Sequence, residues 1–214
     1  MSVPIPTPIF RIVHVDCLPT VLQRGGLHAT NHCPADGLPY RTIHNVEIQG
    51  VRHIRNISCG PRGTLHDYIP FYFGYLSPML FQLKTGRVAG YNEGQEPLVY
   101  LKTTVQAVEQ AGLGFVFSDG HGIAAFTSWY DQSDRLNEVD WNMVYQQYWR
   151  DEVSDMDRQR RKQAEFLVHQ SLPWALIQEI GVLNTPMKTR VEQILSGFAP
   201  AMRTVVNVHA GWYY

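Results

Sequence analysis

The chain has 214 residues, of which 44% are hydrophobic and 17% charged, and a net charge of −1 with histidine neutral. That is enough apolar material for one well-buried domain, and too little positive charge for a protein that holds nucleic acid through a global basic field. Three widely spaced cysteines, Cys17, Cys33 and Cys59, give neither a disulfide framework nor a metal-binding spacing, and the nine histidines are scattered, so no metal is expected. Reduced thiols fit a cytoplasmic protein. No apolar run nears the roughly 18 residues of a membrane span, and the proline-rich start, Met1 to Pro8, lacks the plan of a signal peptide.

Ile9 to Val15 reads as a first strand, broken by Arg11 and His14. Asp16 starts a short helix with Leu18, Val21 and Leu22 inward, and Gly25-Gly26 ends it. From Thr30 to Gly63 the pattern dissolves into a long loop carrying Arg41, Arg52, Arg55 and Arg62, with a short helix expected near Ile43 to Val51. Long irregular segments inside compact domains tend to be functional. His66 to Phe73 is an aromatic strand, and Ser77-Pro78 opens a helix running to Lys84.

Leu98 to Leu101 is a strand, Thr103 to Ala111 a helix, and Phe115 to Phe117 a strand ending in the turn Asp119 to Gly122. Helical spacing runs from Trp141 to Trp149. The charged run Arg150 to Lys162 suits either a solvated helix face or a phosphate-contacting one. Gln163 to Gln170 reads as a buried strand and Pro173-Trp174 opens a short helix. Ile180 to Leu183 is a strand, Met187 to Phe198 a helix, and Val205 to Val208 a last strand. Strands and helices mix without a βαβ rhythm, which points to one α+β domain over residues 1–214 with a mainly antiparallel or mixed sheet.

Three residues stand out chemically. Glu165 interrupts a strand otherwise fit for burial, which is costly unless the carboxylate is paired or opens on a cleft. It is either half of a core-edge ion pair or a catalytic group. Arg11, between Phe10 and Ile12, suits a phosphate or ribose contact or a structural ion pair. Tyr72 falls on the opposite face from Phe71 and Phe73, where it is either core or a ring for stacking a flat ligand. These residues alone define a soluble α+β domain with a cleft for an anionic ligand.

The segments Thr7-Pro8-Ile9-Phe10-Arg11-Ile12-Val13-His14, Leu65-His66-Asp67-Tyr68-Ile69-Pro70-Phe71-Tyr72-Phe73, Ser77-Pro78-Met79-Leu80, Phe115-Val116-Phe117-Ser118-Asp119 and Gln163-Ala164-Glu165-Phe166-Leu167-Val168 carry a resemblance over nearly the whole chain. In order and spacing they resemble the DarT family, the DNA ADP-ribosyltransferase toxins of DarTG toxin–antitoxin systems. The resemblance implies an ADP-ribosyltransferase-like fold: a split mixed β-sheet with peripheral helices around a central NAD cleft. It implies transfer of ADP-ribose from NAD to a base of single-stranded DNA, most often thymidine, and a DarG-like macrodomain antitoxin as partner.

By the same resemblance, Glu165 and Arg52 are catalytic. Arg11, Ile12, Val13, Thr20, His28, Arg52 and Tyr72 contact NAD, and His121, Arg158 and Arg161 serve the DNA. The loop 33–54 closes over NAD, and 121–165 shapes the DNA site. Many relatives carry histidine where this chain has Arg11, which alters the detail of that contact. The alternatives open at this point are guanine, RNA or protein as acceptor, and a module that binds NAD or nucleic acid without turnover.

Overall fold

The computed structural model describes residues 1–214. Its strands are β1 (Pro8–His14), β2 (Gly26–His28), β3 (Tyr68–Tyr72), β4 (Leu98–Thr104), β5 (Phe115–Ser118), β6 (Trp129–Tyr130), β7 (Glu165–His169), β8 (Ser171–Pro173), β9 (Glu179–Val182) and β10 (Val205–Val208). Its α-helices are α1 (Leu18–Gln23), α2 (Val46–Ile54), α3 (Pro78–Lys84), α4 (Val105–Gln110), α5 (Trp141–Val144), α6 (Arg158–Lys162) and α7 (Thr185–Ser196). Eight strands form one sheet in the order β10-β9-β4-β1-β3-β7-β5-β6, while β2 and β8 form a separate ribbon. Every pairing in the large sheet is antiparallel except β9 with β10. The mixed α+β sheet expected from the sequence is therefore present.

The sheet is nearly divided in its middle. β1 pairs with β4 along all of its length, from Pro8↔Thr104 to His14↔Leu98, and β3 pairs with β7 from Tyr68↔His169 to Tyr72↔Glu165. β1 and β3 meet only at Phe10↔Tyr72. Beyond that pair the two halves diverge, leaving open strand edge that must be satisfied otherwise. Arg11 crosses the gap and donates from Nη1 to the carbonyl of Pro70 at 2.9 Å. Proline at this edge has no N–H to leave unpaired.

Alternation along β3 and β7 decides what faces the gap. Ile69, Phe71, Phe166 and Val168 are all within 1% of full burial and join the main core with Phe73 and Phe117. The opposite face carries Tyr68, Tyr72, Glu165 and Leu167, because register partners in an antiparallel pair share a side. A second core lies against β1 and β4, where Phe10, Ile12, Leu98 and Tyr100 pack with Tyr213 of the chain's end. Tyr213 donates to the carbonyl of Leu98 at 2.9 Å, fastening that end to the sheet.

Several element boundaries differ from the sequence expectation. The helix expected at Ile43 to Val51 runs Val46–Ile54, because Asn45 is its cap and accepts from the N–H groups of Glu47 and Ile48. The shift brings Arg52 inside the helix. The helix expected from Trp141 to Trp149 stops at Val144. The Lys162 ammonium donates to the carbonyls of Val144 and Gln146, each at 2.7 Å, taking acceptors that helix continuation would need. The strand expected from Gln163 begins at Glu165.

Asp67 holds the entry to β3. One carboxylate oxygen accepts from Asn31 at 3.0 Å and lies 3.1 Å from the His32 ring. The other accepts from the Thr64 N–H and hydroxyl at 2.7 and 2.9 Å. Burial alone would raise its pKa, but these hydrogen bonds hold it at about 2. A depressed carboxylate contributes stability above its unfolded pKa and loses it as pH falls through the folded value. Asp67→Asn is expected to lower stability at pH 7 by up to about 2 kcal/mol. In urea unfolding across pH, the gap to the unchanged protein should close as pH falls from about 4 toward 2; a gap constant over that window would contradict the assignment.

Candidate active site

A cavity of about 370 Å³ opens where β1 and β3 diverge, and Arg11, Arg52, Tyr72, His121 and Glu165 are in its wall. Glu165 enters it as the first residue of β7 and is 2% exposed. Its backbone is fixed by Ser118, whose hydroxyl accepts the Glu165 N–H at 3.1 Å and donates to the carbonyl of Gly120 at 2.7 Å. Its carboxylate meets Arg52 of α2: Nη1 donates to Oε2 at 2.9 Å and to Oε1 at 3.1 Å. Oε1 also accepts the Gly122 N–H at 3.3 Å.

The pair is buried on both sides, with Arg52 6% exposed, and it is incomplete. One nitrogen of Arg52 serves both oxygens, while Nη2 is buried and has no partner. Arg11 shows the same condition: Nη1 is used on Pro70, and Nε is buried without a partner. A buried donor left unpaired costs about 1–3 kcal/mol. Two guanidinium groups in the cavity's wall carry such donors, and guanidinium groups suit acceptor atoms of a polar or anionic ligand.

Tyr72 shares the Glu165 face of the sheet and brings its ring into the same wall. Burial, reinforced by the Glu165 charge, pushes its phenol well above the ordinary range, so it is a neutral ring and hydrogen-bond donor. His121 is held below the usual histidine pKa by burial and by Arg52, with Glu165 opposing. Its imidazole is therefore neutral at pH 7. The backbone passes close beside it at Gly122, where a Cβ would lie 3.2 Å from the Trp129 ring and 3.4 Å from Glu165 Oε1.

Ile12 and Val13 line the cavity. Thr20 and His28 do not. Thr20 is buried and donates its hydroxyl to the carbonyl of Pro39 at 2.6 Å, and His28 pairs with Ser171 in the small ribbon. The 33–54 segment contributes Tyr40, His44, Gln49 and Arg52 to the cavity's wall. Its anchors are Arg24 on Asp36, at 2.8 and 2.7 Å, Arg41 on Glu93, and Thr20 on Pro39.

The basic run is engaged by its own neighbours. Arg158 donates to the carbonyl of Tyr148 at 2.8 Å and lies 3.7 Å from Glu152. Arg161 is paired with Asp140 and Asp155, and its Nε lies 3.5 Å from Asp157. Arg160 joins Asp119 at 2.9 Å to Asp157 at 2.7 Å. A phosphate reaching Arg158 or Arg161 would have to compete with these partners. The sequence reading missed Ser118 and Gly122 as parts of the carboxylate's cradle. Ser118 acts through its hydroxyl and Gly122 through its backbone N–H, and both depend on long-range folding that residue type does not report; the one available signal was the glycine pair flanking His121.

The family model described as "ssDNA thymidine ADP-ribosyltransferase, DarT" matches residues 10–214. A DNA ADP-ribosyl transferase of Thermus sp. (strain 2.9) is 40% identical over 211 residues, covering 99% of this chain and 98% of its own. The solved structure of Thermus sp. 2.9 DarT in complex with ADP-ribosylated single-stranded DNA superposes with a TM-score of 0.93 at 39% identity, covering 100% of this chain and 99% of that one. The same protein in complex with NAD+ gives 0.89 at 38%, covering 100% of both chains. A match that spans both halves of the sheet and the cavity between them places this chain in the DarT family of single-stranded-DNA thymidine ADP-ribosyltransferases.

Proposed function

We propose that Glu165 and Arg52, as one buried unit, carry the transfer of ADP-ribose from NAD to a thymidine base in single-stranded DNA. The enzyme is an NAD-dependent DNA ADP-ribosyltransferase, and NAD is its co-substrate. The observation that carries the assignment of roles is the incomplete pair, in which Glu165 and Arg52 meet in the cavity while Arg52 and Arg11 keep unused buried donors. Those donors suit the phosphate and ribose oxygens of a dinucleotide, and the Tyr72 ring suits a flat nicotinamide.

In the reaction the bond between nicotinamide and the ribose carbon breaks, and its electron pair leaves with the nicotinamide nitrogen. Positive charge develops on the ribose. Glu165 faces that charge with a fixed carboxylate, and preorganised electrostatics of this kind commonly supply the largest part of catalysis. A ring nitrogen of the base then bonds the ribose carbon and gives up its proton. Arg52 stabilises negative charge on the base, being a poor proton acceptor at any ordinary pH. His121, neutral through burial, is the wall group suited to take the proton. A single-stranded substrate avoids the cost of extracting the base from a duplex.

Arg158 and Arg161 act in this reading by ordering the 121–165 region, with DNA contact secondary to their ion pairs. Thr20 serves the NAD site by holding the loop at Pro39. His28 reaches NAD only by way of that loop. A macrodomain antitoxin of the DarG type, removing the modification, and action in the cytoplasm, where NAD and DNA meet, complete the proposal. No helix is long and apolar enough to cross a membrane.

The reading is tested by incubating the protein with NAD and four single-stranded oligonucleotides, each able to present one reactive base type, and weighing the products. Added ADP-ribose is expected on the thymidine-bearing strand; its absence from every strand would overturn the reading. Glu165→Gln, which keeps a hydrogen-bond acceptor beside Arg52, should lower kcat by roughly 10²–10³ and leave NAD affinity within a few-fold. Equal losses in kcat and NAD affinity would make Glu165 a binding residue instead. Transfer should also fall on the acid side with a midpoint below the usual histidine value, since the lowered His121 pKa keeps the imidazole neutral to lower pH. His121→Gln should slow transfer and remove that acid limb; a limb unchanged in the variant would exclude His121 as proton acceptor.

A further inference from the structure

The chain has nine phenylalanines, five tryptophans and eleven tyrosines, yet only Phe126, Tyr148 and Tyr40 are exposed, at 87%, 80% and 36%. Tyr40 lies in the wall of the reaction cavity, on the 33–54 loop, and Phe126 and Tyr148 lie on segments that carry or are bonded to wall residues. Tyr148 precedes Trp149, a buried wall residue whose indole N–H donates to the Tyr214 hydroxyl at 2.8 Å. Phe126 precedes Thr127, whose hydroxyl donates at 2.7 Å to the carbonyl of His121, another wall residue.

The exposure of the two outermost rings does not come from loosely held backbone. The loop bearing Phe126 is closed by the Thr127 bond and by Arg55, which donates to the carbonyl of Ala124 at 3.2 Å. The carbonyl of Tyr148 is held by Arg158 at 2.8 Å. Arg160 ties the two loops to each other through Asp119 and Asp157, and its carbonyl accepts the His121 N–H at 2.9 Å. Two large rings are thus presented to water from fixed backbones on segments tied to the reaction cavity's wall, while Arg158, Arg160 and Arg161 are paired internally and the net charge is −1.

From this arrangement we infer that Phe126 and Tyr148 are stacking platforms for the bases that flank the target base of single-stranded DNA. The inference rests on the proposed DNA transferase activity and names how that site holds its strand. With Arg158, Arg160 and Arg161 engaged by internal partners, base–aromatic stacking is the contact this face offers a strand, and it supplies affinity that tolerates sequence. The same rings leave chemistry to Glu165 and Arg52, so they act on strand capture.

The test uses the full chain, NAD and two single-stranded substrates: an oligonucleotide of about ten nucleotides and a thymidine dinucleotide too short to reach both rings. Phe126→Ser and Tyr148→Ser should each raise KM for the long strand roughly tenfold, with kcat at saturating strand and NAD affinity held within about twofold. Both variants should approach the unchanged protein on the dinucleotide. Phe126→Trp and Tyr148→Phe should restore the long-strand KM. Unaltered KM in both serine variants, or equal losses on long and short strands, would overturn the inference while transfer by the unchanged protein leaves the transferase reading standing. Absence of transfer by the unchanged protein would remove both.

Discussion

The structure depends on one buried contact across a divided sheet, the ion pair between Arg52 of α2 and Glu165 of β7, 2.9 Å at its closest. Taking both charges out of water costs several kcal/mol per ion before their attraction returns it. Removing one partner from such a pair typically costs about 3–5 kcal/mol. A fold seeking stability alone would do as well with two apolar residues of similar volume. The pair makes sense where a carboxylate must be fixed and charged in a dry place, beside a guanidinium that keeps a donor unused.

The surrounding architecture supports that contact. The sheet opens because β1 and β3 share one register pair, and the opening is survivable because Arg11 takes the carbonyl of Pro70 and proline offers no N–H. Behind the gap, Phe71 and Phe166 fill the opposite face, so β3 and β7 cannot shift without disturbing the core. Ser118 and Gly122 set the carboxylate, and Asn45 starts α2 where Arg52 reaches it. The cations of 158–162 work at one remove: they staple the loops that carry His121 and Trp149.

Much of this was legible in the sequence, for physical reasons. Glu165 was conspicuous because a carboxylate among Ala164, Phe166, Leu167 and Val168 violates the pattern of a buried strand. Tyr72 could be placed opposite Phe71 by period-two alternation, and the register with Glu165 shows that face to be the cavity's. Other features were hidden because they depend on distant partners. The end of the Trp141 helix is dictated by Lys162, eighteen residues beyond Val144. Whether Arg161 is a phosphate ligand or a staple depends on Asp140 and Asp155 folding against it. Residue type identified the unusual groups, but only the fold decided which of them share a cavity.

The central claim is that Arg52 and Glu165 act as a unit, and a double-mutant cycle on transfer rate tests it most directly. Arg52→Lys, Glu165→Gln and the double variant would be compared with the unchanged protein under saturating NAD and single-stranded oligonucleotide, with folding of each checked by urea unfolding. Groups that act together are non-additive. The account predicts that the double variant is no slower, within a few-fold, than the slower single variant. Losses that multiply in the double variant would show two independent residues and contradict it.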